Sequence, residues 1–130
     1  MRVPIDLRFT DYDMQGHINN AVYLTFFEIA RHHAWMAISK NNETLPFIMA
    51  EANVRYVSQA RWGDPVTVEI SVTEVRTKAW VWAYRVMTGD DDRLIAEGRT
   101  VHVMYDYAAQ RTVPIPDAIR AALVAQVDGA

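Results

Sequence analysis

Residues 8–31 read RFTDYDMQGHINNAVYLTFFEIAR, and this stretch sets the architecture of the chain. It joins an extended lead-in to a long helix through one tight loop. Two carboxylates spaced one apart, Asp11 and Asp13, enter the loop, and Gly16 and His17 turn it. Asn19 and Asn20 are residue types that begin helices, because their side chains accept hydrogen bonds from the first unpaired backbone N–H groups. The apolar helix beyond them carries Glu28 and Arg31. A carboxylate is therefore expected on a loop that runs directly into a helix start. Unpaired N–H groups and the positive end of the helix dipole there stabilise negative charge developing on an oxygen.

Upstream, Val3, Ile5, Leu7 and Phe9 alternate with Arg2, Asp6 and Arg8, which predicts a strand over residues 2–9 with one buried face. Pro4 has no N–H to donate, so this strand lies at a sheet edge or begins there. Downstream, the pattern predicts a helix from about Asn20 to Ser39. Val22, Phe26, Ile29 and Ala30 line one side, and Tyr23, Phe27, Ala34 and Ile38 line the next. Thr25, Glu28, His32 and Ser39 leave only a narrow polar stripe, the mark of a mostly buried helix. At about 1.5 Å per residue it runs nearly 30 Å, the length of a sheet.

Four strands follow. Residues 47–58 lead to a turn at Arg61–Pro65. In residues 66–72, Val66, Val68, Ile70 and Val72 face inward while Thr67, Glu69 and Ser71 face outward. Residues 79–88 are aromatic and β-branched on both faces, which suits a central strand. The turn Gly89-Asp90-Asp91-Asp92-Arg93 joins them to residues 94–107 as a hairpin. Pro114 and Pro116 end the sheet, and Asp117 is placed to cap a last helix bearing Ile119, Leu123 and Val127. The order is β-α-β-β-β-β plus a short C-terminal helix, an α+β chain whose one long helix and one antiparallel sheet must cover each other.

With 130 residues the chain is expected to form one domain, 1–130, able to bury a real core. A hydrophobic fraction of 51% beside a charged fraction of 22% fits a soluble globular protein. The net charge of −3 gives no general attraction to nucleic acid or an anionic membrane, so any polyanionic ligand needs a local basic cluster. With no cysteine there is no disulfide, thiolate metal site or Cys nucleophile, in keeping with a reducing, cytoplasmic setting. No signal peptide is read in MRVPIDLRF, and no membrane span is expected. His32 and His33 are adjacent and so point to different helix faces, and His102 is remote; no zinc spacing exists. The chain also has no G-x-S-x-G elbow, G-x-G-x-x-G loop or P-loop.

The loop sequence closely resembles the 4-hydroxybenzoyl-CoA thioesterase family of hotdog-fold acyl-CoA thioesterases, whose signature reads roughly D-x-D-x-x-G-[HI]-[VI]-N-N-x-x-Y. The matching residues are Asp11, Asp13, Gly16, His17, Ile18, Asn19, Asn20 and Tyr23. The resemblance covers almost the whole chain. It implies an antiparallel sheet wrapped around one long central helix, and hydrolysis of an acyl thioester to free acid and coenzyme A. It casts Asp13 as nucleophile or general base, and the sequence does not separate the two roles. Asp11 then serves the loop, and like charge beside Asp13 is expected to raise the pKa of one of them. Backbone N–H groups near Asn20 and Ala21 polarise the carbonyl, with Tyr23 either in the core or facing substrate. Gly16 serves backbone geometry, permitting a positive φ or close approach by the ligand, and His17 either orients the loop or touches substrate. Arg76 and Lys78, between two strands, hold the phosphates of coenzyme A.

The resemblance further implies no metal, no cofactor beyond the coenzyme A of the substrate, and a homodimer or homotetramer. An open apolar sheet face over Trp80–Val86 is expected to be covered by that assembly. Glu28 is the alternative catalytic carboxylate. Two rival functions stand beside acyl-CoA hydrolysis: hydrolysis of acyl groups on acyl carrier protein, and acyl-thioester binding without turnover. Trp35, Trp62, Trp80 and Trp82 either line an aromatic pocket or fill the core and interface.

Overall fold

In the computed structural model, which describes residues 1–40 and 46–128, every strand pairs antiparallel. Strand β1 (Arg2–Ile5) leads through a short 3-10 turn (Phe9–Asp11) and the loop to a second one (Asn20–Val22), which opens helix α1 (Tyr23–Ile38). Strands β2 (Phe47–Tyr56), β3 (Val66–Val75), β4 (Ala79–Thr88) and β5 (Arg93–Asp106) follow. A two-residue strand β6 (Arg111–Thr112) and helix α2 (Asp117–Asp128) complete the chain. The sheet runs β1-β3-β4-β5-β2, with β6 on β5. Both β1 and β2 are edges. Pro4 sits on the first, where its missing N–H costs no ladder bond.

Helix α1 buries Tyr23, Phe26, Phe27, Ala30, Ala34, Trp35 and Ile38. Those positions recur every three or four residues, so they form the stripe that meets the sheet. Each fully buried aromatic or branched side chain contributes about 1.5–3 kcal/mol of transfer free energy. The helix ends where Ser39 N–H bonds Trp35 O at 2.8 Å and Lys40 turns to a positive φ of 56°. The sheet wraps the helix by bending at register shifts between Met49 and Glu51, Val72 and Glu74, and Val86 and Met87.

Gly98 sets how closely helix and sheet approach. A Cβ there would lie 2.8 Å from the Phe27 ring and collide with the Asn53 carbonyl. The space lets Phe27 stack on Tyr84 with ring centroids 4.1 Å apart.

Three expectations change. The first strand stops at Ile5 because Arg8 and Asp11 close a 3-10 turn, and Phe9 ends 81% exposed instead of buried. The small strand β6 has no counterpart in the sequence reading. Trp80, Trp82, Tyr84 and Val86 do not form an open outer face: all are buried in the core cluster with α1. Exposed large apolar side chains include Ile48, Met49 and Tyr56 on β2 and Phe9, Met14 and Trp62 around the loop.

Candidate active site

The loop from Tyr12 to Ile18 is held by its own backbone. Asp13 N–H bonds His17 O at 2.8 Å, Gly16 N–H bonds Asp13 O at 3.1 Å, and Tyr12 bridges Ile18. Gly16 has φ +76°, and a Cβ there would meet nothing within 4 Å. Its role within the chain is therefore conformational: the turn requires a left-handed residue. The Asp13 carboxylate finishes the loop, with Oδ1 accepting the N–H groups of Gln15 (2.9 Å) and His17 (3.0 Å). Its other oxygen accepts no hydrogen bond from the described residues. One oxygen is fixed, which leaves the other oriented and open to react.

Asp11 takes the structural role. It is buried, and Arg8 grips both its oxygens, with Nη2–Oδ1 at 2.9 Å and backbone N–Oδ2 at 2.8 Å. Burial alone would raise its pKa, but the hydrogen bonds and charge of Arg8 outweigh burial and lower it. The expected mutual elevation by Asp13 is not what governs Asp11, because its partner is a cation. Asn19 N–H bonds the Asp11 carbonyl at 2.8 Å, so this pair also positions the helix start. The i,i+3 spacing of Arg8 and Asp11 was the signal available in the sequence.

At the helix start, Asn19 Oδ1 accepts the Ala21 N–H at 3.1 Å. The Ala21 donor is thus already engaged, whereas the Asn20 N–H has no acceptor among the described residues. The Asn20 carbonyl accepts the Tyr56 hydroxyl at 2.7 Å. Tyr23 lies in the core, 2% exposed, packed edge-on to Phe26 and Tyr56, and burial followed by the neighbouring Tyr56 pushes its phenol up to about 12.

Asp13 opens on a cavity of about 390 Å³ lined by Phe9, Tyr12, Met14, Gly16 and Trp62. Trp62 packs on Tyr12 (4.7 Å between centroids) and Phe9 (5.8 Å), and its backbone N–H bonds the Gly16 carbonyl at 2.9 Å. Of the four tryptophans that the sequence offers as pocket or core residues, Trp62 is the one on this wall; its place beside Asp13 was not legible, because it lies far along the chain from the loop residues it touches and only the fold brings them together. His17 is half-buried and bridges Arg61. The other tryptophans, Trp35, Trp80 and Trp82, fill the core.

Arg76 and Lys78 are not near Asp13 in the chain. The loop contacts the segment before β3, and Arg76 follows the end of β3, so the length of that strand separates them, roughly 30 Å. Arg76 pairs with Glu74 at 2.9 Å, and Lys78 Nζ lies 3.4 Å from Thr112 Oγ1. Nearby, a cavity of about 500 Å³ lies between α1 and α2, lined by Trp35, Met104, Tyr107, Val113 and Ile119. Glu28 is exposed on α1, beside Arg31, His32 and Phe47. Among the described residues, no group of three His, Asp or Glu side chains could hold a metal ion, and no helix is long and apolar enough to cross a membrane.

Known proteins share this architecture. The acyl-CoA thioester hydrolase YbgC of Escherichia coli O6:H1 is 25% identical over 123 residues, 91% of each chain. The acyl-CoA thioesterase YbgC of Haemophilus influenzae is 27% identical over 126 residues, covering 92% of this chain and 90% of its own. The structure of a thioesterase from Thermus thermophilus, complexed with coenzyme A and Zn, superposes with a TM-score of 0.85 at 30% identity, covering 98% of this chain and 94% of that one. The sheet wrapped on α1 is a hotdog fold. The thioesterase-like superfamily matches residues 7–123, most of the chain, and the protein belongs to it.

Proposed function

We propose that this chain is a single-domain cytoplasmic acyl-CoA thioesterase in which Asp13 is the reacting carboxylate. The observation that carries the reading is the Asp13 side chain, pinned through Oδ1 and uncommitted at its other oxygen, on the wall of a cavity beside a helix start. The YbgC relatives, named for acyl-CoA hydrolysis, support the substrate class.

Two routes fit. As nucleophile, Asp13 bonds the thioester carbon, the C–S bond breaks, and water hydrolyses the resulting anhydride to free acid and carboxylate. As base, Asp13 takes a proton from water while the hydroxide adds to the carbon, and the proton then leaves with the thiolate. In both, the carbonyl oxygen becomes negative and faces the Asn20 N–H and the positive end of α1. Ala21 supports this geometry through its bond to Asn19, and Gly16 and His17 shape the wall beside the acyl group. No metal or further cofactor enters the scheme, and nucleic acid has no part in it.

The reading includes a homodimer as the minimum assembly. Two β2 edges pair, and the Arg76–Lys78 turn of one copy meets the coenzyme A phosphates of a substrate whose thioester lies at Asp13 of the other.

The test is a hydrolysis screen over short, medium, long and aromatic acyl-CoAs, with the same acyl groups on acyl carrier protein. Asp13→Asn keeps the acceptor for Gln15 and His17 but loses the charge, so kcat is expected to fall by at least about 100-fold with KM little changed. Glu28→Gln is expected to lose much less. The reverse order of loss would move the reacting carboxylate to the helix. Tight binding with no turnover of any thioester would make the protein a binder instead.

A further inference from the structure

Beneath α1 lies a polar chain in an otherwise apolar core. Tyr84 Oη is 2.6 Å from Thr100 Oγ1, and Thr100 Oγ1 is 2.7 Å from His102 Nε2. All three residues are buried, and the Arg31 charge acts on both ends of the chain, at Tyr84 and at His102. Burial, followed by the Arg31 charge, pushes the His102 pKa down to about 3, so the ring stays neutral.

His102 Nδ1 has no hydrogen-bond partner, and the indole Nε1 atoms of Trp80 and Trp82 have no acceptor. The two indole N–H groups are buried donors, and the three rings touch one another, with centroids 4.9–5.9 Å apart. Buried donors without acceptors are rare because each costs the desolvation of its N–H. Phe47 touches all three rings, at 5.4, 5.9 and 5.3 Å, and also lines an open groove of about 130 Å³ with Glu28, Arg31 and His32. Arg31 is half-buried, and no carboxylate among the described residues pairs with it. One cation, Arg31, thus lines the groove, two indole donors stand behind its Phe47 wall, and the sole carboxylate of its lining, Glu28, is exposed.

We propose that the groove between α1 and β2 receives the far end of the acyl group and selects for an oxygen acceptor there, through Arg31 and, behind Phe47, the donors of Trp80 and Trp82. The proposal rests on the thioesterase reading for its substrate. Arg31 follows the first α1 residue, Tyr23, by eight positions, about 12 Å along the helix, so the acceptor sits well away from the thioester. The room suits a terminal hydroxyl, oxo or carboxylate group on a chain.

The experiment compares kcat/KM for acyl-CoAs of equal chain length that end in methyl, hydroxyl or carboxylate. The oxygen-bearing chains are expected to be preferred by at least about tenfold, the worth of one buried hydrogen bond. In Arg31→Met the carboxylate-to-methyl ratio is expected to collapse towards one. A preference for the methyl terminus, or a ratio unchanged in Arg31→Met, overturns the proposal. A second measurement holds if the variant does not fold or no thioester is turned over. The free monocarboxylic and dicarboxylic acids are titrated into wild-type protein while the indole N–H resonances of Trp80 and Trp82 are followed. Shifts from the dicarboxylic acid alone support the site, and equal or absent shifts refute it. Absence of turnover alongside selective shifts would overturn the thioesterase reading and leave the groove assignment standing.

Discussion

The Tyr56 hydroxyl donates to the Asn20 carbonyl at 2.7 Å, tying the free-edge strand β2 to the first residue of the helix start. The bond fixes the peptide unit that follows the proposed oxyanion donor, and it joins segments 36 positions apart. Tyr56→Phe keeps the edge-on contact with Tyr23 and removes only the hydroxyl. Loss of the bond is expected to cost about 1 kcal/mol, read by denaturant unfolding. An unchanged midpoint would mean that water replaces the hydroxyl fully.

Asp11 predicts a pH dependence. Its folded pKa lies below the ordinary carboxylate value because Arg8 outweighs its burial. The stability it contributes is therefore fully present above the unfolded value, about 3.9, and is lost as pH falls through the lower folded value. Asp11→Asn is expected to be less stable than wild type at neutral pH, with the gap closing only in strong acid. A constant gap across the acid range would show that charge has no part in the pairing.

Gly98→Ala places a methyl against the Phe27 ring and the Asn53 carbonyl. Neither can retreat freely, because Phe27 is stacked on Tyr84 and Asn53 belongs to β2. Overpacking of this kind costs about 1–3 kcal/mol. Thermal unfolding of the variant checks it, and wild-type stability would show that helix and sheet can separate.

Strand β2 pairs with β5 on one side only, and it carries the exposed Ile48, Met49 and Tyr56. An open apolar edge of this length invites pairing. Met49→Lys together with Ile48→Lys is expected to shift a dimer towards monomer in light scattering, with loss of activity. A compact, active wild-type monomer at micromolar concentration would refute the assembly.

Glu74 holds Arg76 at 2.9 Å and so competes with any phosphate for it. Replacing Arg76 and Lys78 by Ala is expected to raise KM for acyl-CoA and spare kcat, because both act far from the chemistry. Glu74→Gln is expected to lower KM several-fold at low salt, with the effect fading as salt screens it. Unchanged KM in both variants would move the nucleotide site elsewhere.

Local and periodic features were legible in the chain before any folding was considered. The α1 stripe, the alternation in β3, the Gly89–Asp92 hairpin and the GHINN helix start are each written within one or two turns of chain. The capping chemistry of Asn19 is equally local, two residues from the N–H it binds. Tertiary structure alone decided what depends on distant partners. It ended β1 at Ile5 through the Arg8–Asp11 turn, faced Trp80–Val86 onto α1, brought Trp62 to Asp13, and set Arg76 a strand's length away from it. Period-two patterning shows that two faces alternate, but which one meets the helix is fixed by sheet order and by register shifts that carry no periodic signal. The buried Tyr84–Thr100–His102 chain was hidden for the same reason: Thr100 and His102 share β5, but Tyr84 lies on β4, and only the pairing of β4 with β5 brings its hydroxyl to Thr100.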